Sequence, residues 1–406
     1  MDDDSRNPLI RRAGGSNFIK ACFNGTNVFL GIGLLTVSYA LSSIGWLGLS
    51  LFFVVGVIAF YTGVLLTRCM DLSPSIQSYL DIAECAFGKT GRIMVIVIMN
   101  TELYLIGTGL LILEGDNLYK LFPKFMLSVG KLIIEGRRSF ILITAIVVSP
   151  TMLLTDLGVL SFVSATGVFS CLIILVSVVS VAAFDGVGFH CGGELLKLGG
   201  IGTAVSLFIV CFAGHPVIPS IYISMKYPHQ FVKVLFVSFI ITTITYLGMA
   251  VSGYLMYGDN VDTQITLNLP TNSVATQVAI YTTLLIPVTR YALMMTPVAS
   301  AIENGMPENY RHMTSFRIAI RLVLLVSTTT LAYAFPYYET LVSVVGSIFV
   351  VLASFLLPCL CYLKISGSYR QWSFDSIAGL GIIGFGTLAG LFGVYSSIAE
   401  LANKDN

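Results

Sequence analysis

Two stretches of this 406-residue chain place glycine or proline inside apolar segments that are long enough to cross a bilayer. The first stretch, residues 31–37 with the sequence GIGLLTV, interrupts an apolar run from Phe18 to Leu41. The second, residues 213–216 with the sequence AGHP, lies about half a chain later and includes a proline, which cannot donate a backbone hydrogen bond. A break at membrane depth frees backbone amides and carbonyls, which then need a ligand, an ion or water. Paired breaks in corresponding positions of two halves are typical of secondary transporters.

Three ionisable residues of the apolar segments are candidates for a function, because a charged side chain there is costly and rarely lacks a role. His215 is the best titrating candidate, because an unperturbed histidine changes its charge near neutral pH. The alternative for His215 is a neutral ring that bonds a freed carbonyl. Glu102 lies either inside the third apolar segment or near its boundary. Arg290 keeps its charge at any accessible pH, and its alternative is an anchor that reaches the interface near Glu303.

The composition predicts the class of protein. Hydrophobic residues make up 56% of the chain and charged residues 11%, and the mean hydropathy is +0.88. A soluble domain has about 25% charged residues. We therefore expect a polytopic membrane protein embedded in a lipid bilayer, and the dispersed net charge of +1 favours no nucleic-acid partner. At about 20 apolar residues per crossing, the predicted spans are 17–41, 45–69, 92–115, 138–155, 157–183, 201–224, 230–256, 273–300, 316–334, 338–362 and 375–398.

These eleven predicted spans form one transmembrane domain, residues 17–398, between a short tail (1–16) and a C-terminal tail (399–406). Lys and Arg residues are more numerous in the loops on the side of the N-terminus, which predicts a cytosolic N-terminus. The basic loop between spans 3 and 4 is an exception. Residues 75–87 have the spacing of an interfacial amphipathic helix, which either seals a cytosolic vestibule or only lies on the headgroups.

The cysteines and the acidic residues of the predicted loops do not indicate a catalytic or a metal site. Of the eight cysteines, only Cys191 falls in a loop on the non-cytosolic side, so we expect no disulfide between loops. Asp156, in the turn between spans 4 and 5, is expected to cap a helix. Since no metal-ligand spacing and no nucleophile–base arrangement is visible, we predict no cofactor, no metal site and no enzyme activity.

Several motifs together resemble the amino acid/auxin permease family, and in particular its vacuolar amino acid transporter branch. Their order and spacing along nearly the whole chain are more specific than any one of them. The motifs are NGTN at 24–27, GIGLL at 31–35, YA at 39–40, DIAECAFG at 81–88, FAGHP at 212–216 with Pro219 and Tyr222, SMK at 224–226, and TRYAL at 289–293 with Pro297. One departure is Ser38, which stands where the family usually has proline and bears on gating rather than on the class of substrate. The short N-terminal tail is another departure and leaves little room for regulation.

The resemblance implies a LeuT-like fold of two inverted five-helix repeats, about 17–183 and 201–362, with an extra helix at about 375–398. The two breaks agree, because spans 1 and 6 are five spans apart. In that arrangement, amides near the first break are expected to face an α-carboxylate and carbonyls near the second an α-ammonium. The expected substrate-binding residues are Thr26, Asn27, Gly31, Ile32, Gly33, Leu34, Tyr104, Val210, Cys211, Ala213 and Gly214. Tyr104, on the facing span 3, is expected to bond the carboxylate unless it is an ordinary membrane tyrosine.

The same arrangement bears on the coupling ion. Spans 1 and 8 commonly form a sodium site in this fold, and a guanidinium at Arg290 would replace the charge of that ion. We therefore expect coupling to protons, with His215, Glu102 and Arg290 as the candidate coupling residues.

The sequence thus predicts a proton-coupled transporter of neutral amino acids in the vacuolar membrane that exchanges lumenal protons for cytosolic substrate by alternating access. No obligate protein partner is expected. A plasma-membrane symporter for amino acids or an auxin-like weak acid remains open, as does an amino acid sensor without turnover. An ion channel is disfavoured, because no ring of pore-lining charges is visible.

Overall fold

A computed structural model describes residues 15–73, 75–129, 132–152, 157–190, 192–307, 309, 313–370 and 373–404. Cys191, Asp156 and residues 1–14 of the predicted tail lie outside these ranges, so the expectations attached to them stay predictions. The described part is almost entirely helical, and its one sheet is a short antiparallel hairpin.

The elements follow the predicted spans closely. In chain order the helices and strands are α1 (Phe18–Phe29), α2 (Gly33–Ile44), α3 (Gly48–Leu72), α4 (Tyr79–Leu121), β1 (Met126–Val129), β2 (Leu132–Glu135), α5 (Gly136–Met152), α6 (Leu157–Phe184), α7 (Ile201–Cys211), α8 (Ile218–Ser224), α9 (Phe231–Tyr257), α10 (Ile265–Asn268), α11 (Val274–Gly305), α12 (Thr314–Ala334), α13 (Tyr338–Val344), α14 (Leu357–Ser366) and α15 (Phe374–Lys404). A π-helix, Val345–Leu356, joins α13 to α14 in one continuous span.

Within the described residues, nine helical segments are long and apolar enough to cross a membrane. The bent pair α1 and α2 raises this number to ten. Helix α5 contains 17 residues and ends at Met152, where the described part stops. The predicted class, an all-helical polytopic membrane protein, is confirmed, and the count of eleven spans stays a prediction.

The amphipathic segment predicted at 75–87 forms the beginning of α4, which bends at Gly88, where φ is +65°. Tyr79, Ile82 and Ala83 are buried, and the Tyr79 hydroxyl donates a 2.6 Å hydrogen bond to the carbonyl of Ala353 in the π-helix. One face of this segment therefore packs into the bundle, which is more than contact with headgroups alone would need.

The broken spans lie at the centre of the bundle. In the second broken span, 72% of the most apolar 18-residue stretch is buried inside the protein. The corresponding share is 28% in α12 and 33% in α15. Helices with low internal burial face lipid, where apolar side chains need no protein partner. The breaks are thus surrounded by protein, the environment in which irregular backbone is tolerated at membrane depth.

Small residues allow α7, the π-helix and α15 to approach closely. A Cβ atom added at Gly346 would lie 2.3 Å from the Ser206 carbonyl oxygen, and one at Gly393 would lie 2.7 Å from the Ser347 Cβ. Hydroxyls supplement this packing, since Thr203 and Ser396 are 2.8 Å apart. Close contact between backbones is the usual source of helix association in membranes.

This packing predicts different outcomes for two glycines of α15. Gly393→Leu places a large side chain against Ser206 and Ser347, and overpacking of this kind costs about 1–3 kcal/mol. Gly384→Leu is the matched control, because an added Cβ there has no atom within 4 Å. We expect thermal stability in detergent, measured as the folded fraction after heating, to fall for Gly393→Leu and to hold for Gly384→Leu. Equal melting of the two variants would contradict this packing.

Candidate functional site

The first break separates α1 from α2, whose axes differ by 55°. Helix α1 ends at Phe29, and Leu30 adopts an extended conformation with φ −77° and ψ 102°. Its amide still bonds the Thr26 carbonyl at 2.8 Å, so the helix closes normally before the chain turns. The backbone groups that follow have lost their helical partners and must be satisfied by other elements.

Tyr246, on α9, supplies two of these partners. Its hydroxyl donates to the Phe29 carbonyl at 2.8 Å and accepts from the Gly31 amide at 3.1 Å. One buried side chain therefore bridges the end of α1 and a residue of the short link before α2. Sequence reasoning missed this residue, although a polar hydroxyl within an otherwise apolar span was the available signal.

Arg290 supplies the third partner from α11. Its Nη2 donates to the Leu30 carbonyl at 2.8 Å, and its guanidinium lies over Gly167 of α6 beside the Asn27 side chain. A side chain at position 167 would fill this space, since an added Cβ would be 2.4 Å from Nη2. Arg290 forms no ion pair with any described residue.

The interfacial alternative for Arg290 does not match this placement. Glu303 instead pairs with two other arginines, with Arg317 Nε at 3.2 Å and Arg321 Nε at 3.7 Å. Arg290 therefore places a permanent positive charge at the first break. Its part in ion coupling stays a prediction.

The second break satisfies two of its amides with carbonyls of its own helix. After α7 ends at Cys211, the amide of Phe212 bonds the Ile209 carbonyl and that of Ala213 bonds the Val210 carbonyl, both at 3.1 Å. The Val210 carbonyl is therefore already occupied. Within the described residues, the carbonyls of Cys211 and Ala213 accept no hydrogen bond, and these two groups fit the predicted acceptors of an ammonium.

The two breaks contact each other directly. A Cβ atom added at Gly33 would lie 3.0 Å from the Cys211 Sγ and 3.2 Å from its Cα. At Gly214, an added Cβ would be 2.7 Å from Val28 and 2.8 Å from the Phe29 ring. A side chain at either position would crowd its neighbours and require them to shift. Gly33 and Gly214 therefore set the spacing of the breaks.

Donors for an anion remain at the first break. The Gly31 amide is taken by Tyr246 and the Leu34 amide by the Gly31 carbonyl at 3.2 Å. The amides of Ile32 and Gly33, at the start of α2, form no hydrogen bond with described residues. Unpaired amides at a helix N-terminus favour an anion. Of the predicted donors, Gly33 keeps a free amide here, together with its neighbour Ile32.

His215 is fully buried in the short helical turn after the second break. Its Nε2 lies 3.0 Å from the Ala59 carbonyl and 2.9 Å from the Thr62 hydroxyl, both on α3. Because the Ala59 carbonyl can only accept, Nε2 is assigned the proton. The Nδ1 atom has no hydrogen-bond partner among the described residues.

The remaining predicted residues are placed as follows. Glu102 is 7% exposed on α4, and its Oε2 has no hydrogen-bond partner in the described part of the chain. Tyr104 is half-buried on the same helix, which packs against α11. Thr26 is buried on α1, where its hydroxyl finds no partner among the described side chains and backbone groups. Among the described residues, neither Glu102 nor Tyr104 forms a hydrogen bond with either break.

Ser38, the departure from the family pattern, is also accounted for. Its hydroxyl donates to the Met249 carbonyl on α9 at 2.8 Å, and Gly253 leaves room for it. A proline here would lack this hydroxyl, so serine adds a link between α2 and α9.

Comparison with known proteins is consistent with this geometry. The family model described as "Transmembrane amino acid transporter protein" matches residues 14–399. Amino acid transporter AVT1I of Arabidopsis thaliana is 44% identical over 99% of both chains. Amino acid transporter AVT1J of the same plant is 42% identical over 99% of this chain and 96% of its own. The inward-facing conformation of Mhp1 superposes with a TM-score of 0.56 over 97% of this chain and 93% of its own, at 12% identity. The predicted LeuT-like fold is confirmed.

The role of Tyr246 can be tested by removing its hydroxyl. Tyr246→Phe leaves the Phe29 carbonyl and the Gly31 amide without their partner, at a cost of about 1–3 kcal/mol for each buried group. Tyr254→Phe is the matched control on the same helix, since its hydroxyl makes one long contact of 3.4 Å. We expect a clear drop in thermal stability and in amino acid binding for Tyr246→Phe alone. Similar losses in both variants would mean that the bridge is unimportant.

Proposed function

Because this chain belongs to the transmembrane amino acid transporter protein family, we propose that it moves neutral amino acids across the vacuolar membrane in exchange for protons. It is an integral membrane protein with the fold of secondary transporters. Transport by alternating access follows from that fold, in which a central site opens to one side at a time.

One observation carries the proposal. At the start of α2 the amides of Ile32 and Gly33 have no partner among the described residues, and Gly33 contacts Cys211 at the end of α7. The carbonyls of Cys211 and Ala213 in the second break likewise accept no hydrogen bond from the described residues. The positive end of one helix and the negative end of another thus meet at one place. A zwitterionic amino acid offers a carboxylate to the first and an ammonium to the second. Such a ligand satisfies both helix ends without a net charge.

Coupling to protons is supported by the position of Arg290. Its guanidinium bonds the Leu30 carbonyl, the kind of group that would otherwise coordinate a cation at the first break. A second cation there would be repelled by the fixed charge of the guanidinium. The driving ion is therefore a proton, and His215, with a free Nδ1, and Glu102, with a free Oε2, are the candidate carriers. The vacuolar location rests on the resemblance to the vacuolar branch of the family.

The test of this function is uptake into proteoliposomes that contain the purified protein and have an acidic interior. Labelled small, aliphatic and aromatic neutral amino acids are offered outside in sodium-free buffer, and a protonophore then collapses the gradient. We expect accumulation that vanishes with the gradient. Uptake only when protons and amino acid move inward together would contradict exchange and indicate symport. Binding without accumulation in either gradient direction would contradict transport and indicate a sensor.

Replacement of Arg290 tests the identity of the coupling ion. Arg290→Gln removes the fixed charge and leaves the Leu30 carbonyl without its charged donor, so we expect proton-driven uptake to be lost and any residual uptake to depend on sodium. The measurement is initial uptake with sodium or choline as the external cation. Arg92→Gln is the control, because Arg92 is a half-buried arginine far along the chain from either break and pairs with Asp81 and Glu84. Wild-type kinetics and proton dependence in Arg290→Gln would reduce Arg290 to a structural residue.

A further inference from the structure

A second polar cluster lies at the end of the bundle opposite Phe18, which we call the far end. Here the last turns of α4, the start of α5, the α10 segment and the chain before α13 come together. Asp116 occupies the centre of this cluster. It is 5% exposed and belongs to neither helix break.

Three side chains surround Asp116 and form with it the far-end network, defined as Asp116, Asn117, Arg137 and Gln264. The Arg137 Nε lies 2.5 Å from Oδ1, and the Gln264 Nε2 donates to Oδ2 at 2.9 Å. Asn117 in turn donates to the Gln264 Oε1 at 2.8 Å. Gln264 and Asn117 are fully buried, whereas 40% of the Arg137 side chain is exposed. Arg137 therefore separates a buried carboxylate from the water outside.

The far-end network holds several elements in one arrangement. Arg137 also donates to the Pro336 carbonyl at 2.8 Å, which ties α5 to the chain before α13. The Lys120 ammonium bonds three carbonyls of the segment that contains α10, those of Thr266, Leu267 and Leu269. These contacts link separate elements across the far end. An opening of the protein on this side, which we call the far mouth, would have to form between those elements. Opening to that side must break part of them.

Other charged groups also face Asp116. Glu339 on α13 and Asp262 before α10 both interact electrostatically with it, as Arg137 does from α5. Tyr338 on α13 lies within electrostatic range of both Asp116 and Cys211, and its hydroxyl has no hydrogen-bond partner among the described residues. Helix α13 packs against both α4 and α7, so it lies between the far-end network and the helix that ends at the second break.

These contacts give Asp116 the property that a coupling residue needs. The proton affinity of a carboxyl group depends on its burial and on the charges beside it. Both change if opening of the far end moves α5, which carries Arg137, or α13, which carries Glu339, away from α4. A group that binds protons differently in two conformations links the proton gradient to the conformational equilibrium.

We propose that Asp116 is a proton-coupling residue of this transporter and that its ion pair with Arg137 closes the far mouth. This inference rests on the proposed exchange of protons for amino acids. It adds a coupling site separate from His215, Glu102 and Arg290. The substrate site itself is not part of the far-end network, so substrate binding does not need a charge at Asp116.

Asp116→Asn removes the charge of the side chain and keeps its shape. The asparagine oxygen still accepts from Gln264, but the side chain cannot take up or release a proton in this pH range. Glu194→Gln is the control, because Glu194 is an exposed acid of the segment between α6 and α7 and does not belong to the far-end network. Asp116→Glu restores a titratable group.

Two assays on the full chain in proteoliposomes decide the question. The first is accumulation of a labelled neutral amino acid driven by a pH gradient, and the second is exchange of labelled for unlabelled amino acid at equal pH on both sides. We expect Asp116→Asn to lose accumulation and keep exchange, Asp116→Glu to recover accumulation, and Glu194→Gln to behave as wild type. Accumulation by Asp116→Asn equal to that of wild type would overturn the inference and leave the proposed function standing. Failure of wild type itself to accumulate substrate would overturn both.

Arg137→Gln provides a second variant that does not alter the buried carboxyl. If Asp116→Asn does not fold, the pH profile of exchange is compared between Arg137→Gln and wild type. Loss of the partner charge is expected to shift this profile. An unchanged profile in a folded Arg137→Gln protein would overturn the inference.

Discussion

Hydrogen bonds from Tyr246 and Arg290 to the first helix break satisfy a requirement that governs the rest of the structure. Lipid offers no partner to a free carbonyl or amide, so a broken helix is stable only where protein supplies one. Phe29, Leu30 and Gly31 present such groups, and side chains from α9 and α11 reach all three. The small residue Gly167 leaves the space that the guanidinium occupies. The helices around the break are therefore arranged to bring two polar side chains to one turn of backbone.

The two breaks differ in how they are stabilised. The second break bonds the amides of Phe212 and Ala213 to carbonyls of its own helix, at Ile209 and Val210. The first depends on α9 and α11, so any movement of these helices relative to α1 must strain or exchange its hydrogen bonds. The hydrogen bonds of the first break therefore depend on how α9 and α11 are placed relative to α1. Because Gly33 packs directly on Cys211, a movement of the first break would also displace the second.

Most of the fold and part of the candidate site could be predicted from the sequence. Apolar length located the spans, and glycine with proline located both breaks to within a few residues, because each follows from local chemistry. The sequence could not show that the Leu34 amide and the Val210 carbonyl are already occupied by neighbouring backbone groups. It also could not choose between the break and the interface for Arg290, since a long side chain can reach either from the same Cα position.

What the sequence by itself determined was the membrane class, the family resemblance and the positions at which helices must break, since these depend on residue types and their order along one chain. The tertiary structure alone decided which groups meet. Tyr246 lies more than two hundred residues from the backbone that it bridges, and Arg137 and Gln264 reach Asp116 from separate elements. Such pairings depend on how helices rotate and approach one another. Contacts between distant backbones and side chains set those rotations, and spacing within a single span does not encode them.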